Sequence, residues 1–357
     1  MTVKEIRIKN FRNLKEVATE LSGGTTIFYG GIGEGKTNLI EALYMLSIGR
    51  SYRTSNGRDL ICWGEEEAAV RGDGDSGAAK LSMLVRIRNE GKKVEVNGSS
   101  CSKGMELLGK FRAVLFHNED IRIVKDDPSF RRRFMDIVIS QVSKNYAYSL
   151  KDYYKTLRQR NRSILDGGNT EIWDEQLASL GSWITDVREK TIKEIDRIAA
   201  KIFKILIGAE RNLSLVYQQS SIKDKDQYLE QLKNTKALDV ARGTTNVGPH
   251  RDDIKISVDG RDVRQFASSG EQKVVMLSMK MAEVDFIKGM TGEQPTLLLD
   301  DVFSAIDEQR SMTLLKSTGN GAQCIITPTD LNSVKRNMLG EARLYEVKNG
   351  SVRSGSA

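Results

Sequence analysis

The chain has 357 residues, 39% hydrophobic and 29% charged, the balance of a soluble globular protein with room for two domains. No run nears the roughly 20 apolar residues of a membrane helix. The scattered Cys62, Cys101 and Cys324 read as unpaired thiols of a reducing cytoplasm, and with only His117 and His250 a His-built metal centre is disfavoured. A formal charge of +7 leans mildly towards an anionic polymer partner.

Residues 3–8 and 25–29 read as strands around the turn signal Ser22-Gly23-Gly24, and the alternating start carries no signal-peptide core. Between them, Lys9-Asn10-Phe11-Arg12-Asn13 is open to two readings. One is a polar loop around a buried Phe11; the other is a loop whose Arg12 and Asn13 touch the phosphate or base of a nucleotide. The next stretch, Gly30-Gly31-Ile32-Gly33-Glu34-Gly35-Lys36-Thr37, fits G-x-x-x-x-G-K-[ST]. It follows a β-branched strand and precedes a helical run from Asn38 with Leu39, Leu43 and Leu46 on one face, the context a phosphate cradle needs. Residues 30–38 are therefore expected to cradle phosphate, with Lys36 at the β/γ-phosphates of a nucleotide and Thr37 on Mg²⁺. A plain glycine turn is the alternative. Residues 51–114 hold short alternating runs and the hairpin signal Asn97-Gly98, which predict a small β subdomain; residues 110–116 return as a buried strand.

From 126 to 240 the pattern turns helical. Pro128-Ser129 opens a long basic segment with Arg131, Arg132, Arg133, Lys144, Lys151, Lys155, Arg158, Arg160 and Arg162 among Tyr146, Tyr148, Tyr153 and Tyr154. Nucleic-acid contact and a solvated helix face both fit, and the first arginines have Asp126, Asp127 and Asp136 as internal partners. After Asp166-Gly167-Gly168-Asn169, apolar residues from Trp173 to Ile205 recur every three or four positions, with Thr191 filling the one gap between Val187 and Ile195, as in a packed helical hairpin. Phe266-Ala267-Ser268-Ser269-Gly270-Glu271-Gln272-Lys273 then opens a helix whose small residues suit an anion or a simple N-cap. Residues 294–301 form a hydrophobic strand ending in Asp300 and Asp301, placing carboxylates where Mg²⁺ and an attacking water belong. Ser304-Ala305-Ile306-Asp307 opens another helix, and residues 323–327 read as a last buried strand.

This order of P-loop, helical insert, signature, acid-ended strand and Ser-x-x-Asp resembles the ABC-type ATPase heads. Within them the chain resembles the RecF family of bacterial recombination mediators nearly end to end. The resemblance rests on Lys9-Asn10-Phe11-Arg12-Asn13, on Phe116-His117-Asn118-Glu119-Asp120 with Pro128, Arg131, Arg132 and Asp136, and above all on Gly248-Pro249-His250-Arg251-Asp252-Asp253. Departures fall at Ile32, Asn118, Ser269, Glu271, Ala305-Ile306 and Pro328.

The resemblance implies an α/β fold, an ABC-type P-loop ATPase head with a β subdomain over 1–125 and 241–357 and a helical lobe inserted over 126–240. It implies ATP and Mg²⁺ as cofactors, with Thr37 and, through water, Asp300 on the metal. Lys36, Asp300, Asp301 and Ser268 would be catalytic, and Ser268 and Gly270 would act on the ATP of a second copy in an ATP-dependent homodimer. The implied activity is weak, DNA-stimulated ATP hydrolysis by a cytoplasmic, nucleoid-associated protein of DNA repair, recombination, replication and the SOS response. It would bind double-stranded and gapped DNA through residues such as Arg131, Arg132, Lys144, Lys151, Lys155, Arg158 and Arg160. It would act with RecR, and indirectly with RecO and RecA. The alternative is an ATP-gated DNA-binding module, or a divergent paralogue, with negligible turnover. His250 and Arg251 are left open between nucleotide, DNA and a hinge.

Overall fold

The computed structural model describes residues 2–76, 79–101, 104–302, 321–329 and 342–355. Ser304, Ala305, Ile306 and Asp307 lie outside the described residues. The chain divides into two units, Met1–Asp120 with Ile287–Ala357, and Ile121–Phe286.

The first unit begins with β1 (Thr2–Phe11), β2 (Leu14–Glu20), β3 (Thr25–Tyr29), α1 (Lys36–Ile48), β4 (Glu67–Ser76), β5 (Ala79–Arg88), β6 (Gly91–Val96), β7 (Ser99–Cys101) and β8 (Ala113–His117). The second holds α2 (Arg122–Lys125), α3 (Pro128–Val142), α4 (Lys144–Leu165), α5 (Glu171–Ile207), β9 (Leu213–Gln218), α6 (Lys225–Asn234), α7 (Lys236–Arg242), β10 (Asp253–Val258), β11 (Arg261–Asp262) and α8 (Val263–Phe266). Helix α9 (Ser269–Thr291) contains the division, and β12 (Thr296–Asp300), β13 (Cys324–Thr327), β14 (Arg343–Lys348) and β15 (Ser351–Ser354) complete the first unit.

Two six-stranded sheets build the first unit. One runs β2-β1-β4-β5-β6-β7 and is antiparallel; the other runs β15-β14-β3-β13-β12-β8 and is parallel from β14 to β8. Helix α1 packs against β1 and β4 of the first and β12 and β13 of the second. Every residue from Leu39 to Ile48 is buried, so α1 is apolar almost all round rather than amphipathic. Strands β3 and β12 read as continuous apolar runs because both faces are covered. Strand β2 was not legible as a strand. The chain reverses at Arg12-Asn13, with Arg12 in the left-handed region (φ 56°), so 14–20 pair back on β1.

In the second unit, α5 packs on α4, α6 and β9, and the sheet order is β11-β10-β9. The unit is longer than the helical insert expected over 126–240, because β10 pairs with β9 and so keeps 253–258 with it. The long basic helix is two helices. Ser143 leaves helical geometry (φ −137°, ψ 104°), and its side chain accepts from the Tyr146 N–H to start α4. The apolar stripe of α5, expected as core, is buried in part, at Leu177, Ile184, Ile195 and Ile202. Ile205 is exposed, while Asp174 and Arg188 are buried instead.

Candidate functional site

The glycine loop lies between β3 and α1 in the first unit. Gly30 (φ 154°) needs glycine: a Cβ there would sit 2.1 Å from the Val347 carbonyl oxygen of β14. Gly35 (φ 116°) is the N-cap of α1, which has no side-chain cap and no acid in its first turn. The start of this 13-residue helix therefore offers free N–H groups and the positive end of its dipole to an anion. The Lys36 ammonium bonds the carbonyls of Gly30 (2.6 Å) and Gly31 (2.7 Å), curling back over the loop. Burial holds its pKa below the usual lysine value, against the pull of Asp301, Asp300 and Glu34. The residue that differs from the family pattern, Ile32, is 90% exposed at the loop tip.

Asn13 braces the loop: its Nδ2 donates to the Gly33 carbonyl (3.1 Å), and its Oδ1 accepts from Asn38 (2.8 Å). Glu34 is held from β14–β15, where the Gly350 N–H donates to its carbonyl (3.0 Å) and the Asn349 N–H to its carboxylate. Arg12 points elsewhere than expected. It donates twice to Glu41 (3.0 and 2.8 Å), a fully buried carboxylate one turn after Thr37, which also accepts from Arg53 and Ser51. Arg12 thus ties the β1–β2 turn to α1. Arg53 also donates to Asn38 Oδ1 (2.7 Å). Glu41 and Arg53 were missed; an acid inside an otherwise apolar helix was the signal.

Strand β12 delivers the acids. Asp300 is nearly buried, and its Oδ1 accepts from Thr37 Oγ1 (3.0 Å) and Thr327 Oγ1 (2.8 Å). Thr37 and Asp300, 263 positions apart, meet as hard oxygen groups suited to Mg²⁺. Asp301 sits in the left-handed region (φ 53°), a strained backbone state for an aspartate, and its carboxylate accepts from the N–H and hydroxyl of Thr329. The donor set fits a phosphate on the loop and a Mg²⁺ ion at Thr37 and Asp300.

The signature lies in the second unit. Ser268, Ser269 and Gly270 are exposed at the start of α9, with Ser268 Oγ accepting from the Glu271 N–H (3.2 Å). Glu271, a departure from the family, is paired with Arg211, which also holds Asp259. Its charge is therefore answered within the lobe.

The basic residues separate into two groups. Lys144, Lys151, Lys155, Arg158 and Arg162 are exposed on α4 at steps of seven, four, three and four, one face of the helix. Arg131 and Arg160, expected on DNA, are instead core residues. Arg131 is bidentate on Asp253 (2.6 and 3.1 Å), and Arg160 is fully buried between Asp174, Asp239 and Thr245. A buried guanidinium keeps its charge only with such partners, so neither faces solvent phosphate. Arg132 donates to the Asp252 carbonyl (2.8 Å). Arg188, also fully buried, joins Asp136, Asp252, Tyr146 and the Pro249 carbonyl. His250 donates from Nε2 to the Thr245 carbonyl (3.0 Å) and accepts at Nδ1 from the Tyr153 hydroxyl (2.8 Å), while Arg251 donates to the same carbonyl. The string 248–253 is thus fastened to α3, α4 and α5 within one unit.

The family described as RecF/RecN/SMC N terminal domain matches residues 2–352. The DNA replication and repair protein RecF of Clostridium tetani is 38% identical over 98% of this chain and 99% of its own length. That of Latilactobacillus sakei is 35% identical over 99% and 98%. Among solved structures, one described as the recombination mediator protein RecF-ATP in the RecFOR pathway superposes with a TM-score of 0.91 at 33% identity, covering 99% of this chain and 97% of that one. A Pyrococcus furiosus Smc head domain, at 16% identity, covers 99% of this chain and 96% of that one with a TM-score of 0.55, a likeness of fold alone.

Proposed function

The chain belongs to the RecF proteins of the RecF/RecN/SMC family, with the ABC-type ATPase head fold and a role in DNA replication and repair, and on that premise we propose that it is an ATP-driven DNA clamp of recombinational repair. The observation that carries this reading is the convergence of Lys36, Thr37 and Asp300 on the uncapped start of α1.

Lys36 leaves the Gly30 and Gly31 carbonyls for the β/γ-phosphates, and the N–H groups of residues 31–37 cradle the remaining oxygens. Thr37 and Asp300 would hold Mg²⁺, which would neutralise phosphate charge. Asp301, fixed by Thr329, orients or deprotonates the attacking water. Ser268 and Gly270 of a second copy close the site, so two ATP molecules join a homodimer and slow hydrolysis, stimulated by DNA, releases it. Duplex and gapped DNA lie against the exposed basic face of α4. The clamp works in the cytoplasm with RecR, and through RecO it helps RecA load at single-strand gaps. The RecFOR pathway named for the solved relative supports that assignment.

Sedimentation of wild type and Lys36→Ala with Mg²⁺-ATP, with and without gapped duplex, tests the reading. Wild type is expected to dimerise on ATP and Lys36→Ala to stay monomeric. Monomers in every wild-type sample would refute it. Single-turnover hydrolysis by Asp301→Asn separates an ATPase from a binding module: a loss of turnover with dimerisation retained supports the ATPase.

A further inference from the structure

Asp300 has two carboxylate oxygens, and the site described above uses one. Oδ1 faces Thr37 and Thr327, while Oδ2 accepts from the hydroxyl of Tyr52 (3.2 Å), a residue in the loop after α1. The Tyr52 ring is itself fixed. It stacks on His117 (centroids 5.0 Å apart, planes 20° apart) and meets Tyr44 edge-on (5.8 Å, 81°). His117 ends β8 directly opposite Asp300 in the parallel register. An ordinary phenol keeps its proton up to about pH 10, so the Tyr52 hydroxyl is the donor and the Asp300 carboxylate the acceptor at neutral pH.

We propose that Tyr52 is a positioning residue for the divalent cation: it clamps Asp300 Oδ2 so that Oδ1 stays turned towards Thr37. The inference rests on the reading of Thr37 and Asp300 as the Mg²⁺ site. A carboxylate held at one oxygen alone can rotate about its Cβ–Cγ bond, and a donor behind a metal-site carboxylate sets its direction and basicity. The two threonines restrain one oxygen from the metal side. Tyr52 restrains the other from behind, and its ring is wedged between Tyr44 and His117 so that it cannot follow a rotating Asp300.

The test is Mn²⁺ binding read by electron paramagnetic resonance in the presence of ATP, for wild type, Tyr52→Phe, Asp300→Asn and the double variant. Phenylalanine keeps the stack and removes only the hydroxyl. Tyr52→Phe is expected to bind Mn²⁺ about tenfold more weakly, with metal-free ATP affinity unchanged and a single cooperative melt retained. In the Asp300→Asn background the same change is expected to have no further effect. Equal Mn²⁺ affinity in wild type and Tyr52→Phe would overturn the inference and leave the ATP site standing. A loss equally large in the Asp300→Asn background, or loss of the cooperative melt, would assign the hydroxyl to stability and overturn it too. A wild type that bound no nucleotide would overturn the proposed function and this inference with it.

Discussion

Arg160 discriminates between a DNA-contact helix and a charged core. It is fully buried, with Nε on Asp174 and Nη1 on both Asp239 (2.7 Å) and Thr245 (2.8 Å). Burial disfavours its charge, but the bonds to Asp174 and Asp239 outweigh that and raise its pKa. Replacing it with methionine keeps most of the volume and leaves two buried carboxylates without their cation. Thr170 still serves Asp174, and Asn246 still serves Asp239, but neither neutralises charge. Breaking a buried pair on one side costs about 3–5 kcal/mol, and in a unit of this size each kcal/mol lowers the midpoint by about 2–4 °C. Arg160→Met is therefore expected to melt roughly 10 °C below wild type. The fluorescence of Trp173, beside Asp174 on α5, gives a local readout of the transition. Adding Asp174→Asn and Asp239→Asn is expected to recover most of the loss, because the penalty lies in uncompensated charge. An unchanged melt, with a flatter salt dependence of DNA binding, would refute the burial argument and restore Arg160 to the DNA face.

The exposed stripe gives the opposite expectation. Lys151→Ala, Lys155→Ala and Arg158→Ala together are expected to leave the melt unchanged. If all three meet phosphate, the triple change lowers the slope of log K against log salt for duplex DNA by roughly 2–3. Within the glycine loop, Gly30→Ala is expected to abolish ATP binding, since its Cβ would strike the Val347 carbonyl. Gly31→Ala, whose Cβ would meet only the Glu34 side chain at ordinary contact, is expected to retain it; equilibrium titration with a fluorescent ATP analogue checks both. His250 is kept neutral by burial, with a pKa pushed down to about 4 against 6.5 for a free imidazole. Between those values the unfolded chain binds more protons. Stability is therefore present above about pH 6.5 and lost as pH falls towards 4, by on the order of 3 kcal/mol. Urea midpoints of wild type are expected to fall more steeply over that window than those of His250→Gln.

The glycine loop and the acid-ended strand were legible in the sequence by itself. Gly30 to Thr37 and the run ending in Asp300-Asp301 carry their meaning locally: a phosphate cradle needs backbone freedom and a helix start, both set by neighbouring residues. The sequence also determined the central strands, whose apolar runs admit little but burial on two faces. Only the tertiary structure decided which charges are available. Arg158 and Arg160 look alike in a basic run, yet one lies in solvent and the other is buried between Asp174 and Asp239. Those partners come from 14 and 79 positions away, so no local pattern signals them. The same holds for Arg131 with Asp253 and for Arg188 with Asp136 and Asp252, which turn two family motifs into one ion-pair core. It holds for Arg12, taken up by Glu41, and for Tyr52, brought to Asp300 from 248 positions away. Local sequence sets what a side chain can do; burial and partners from distant strands and helices set what it is free to do.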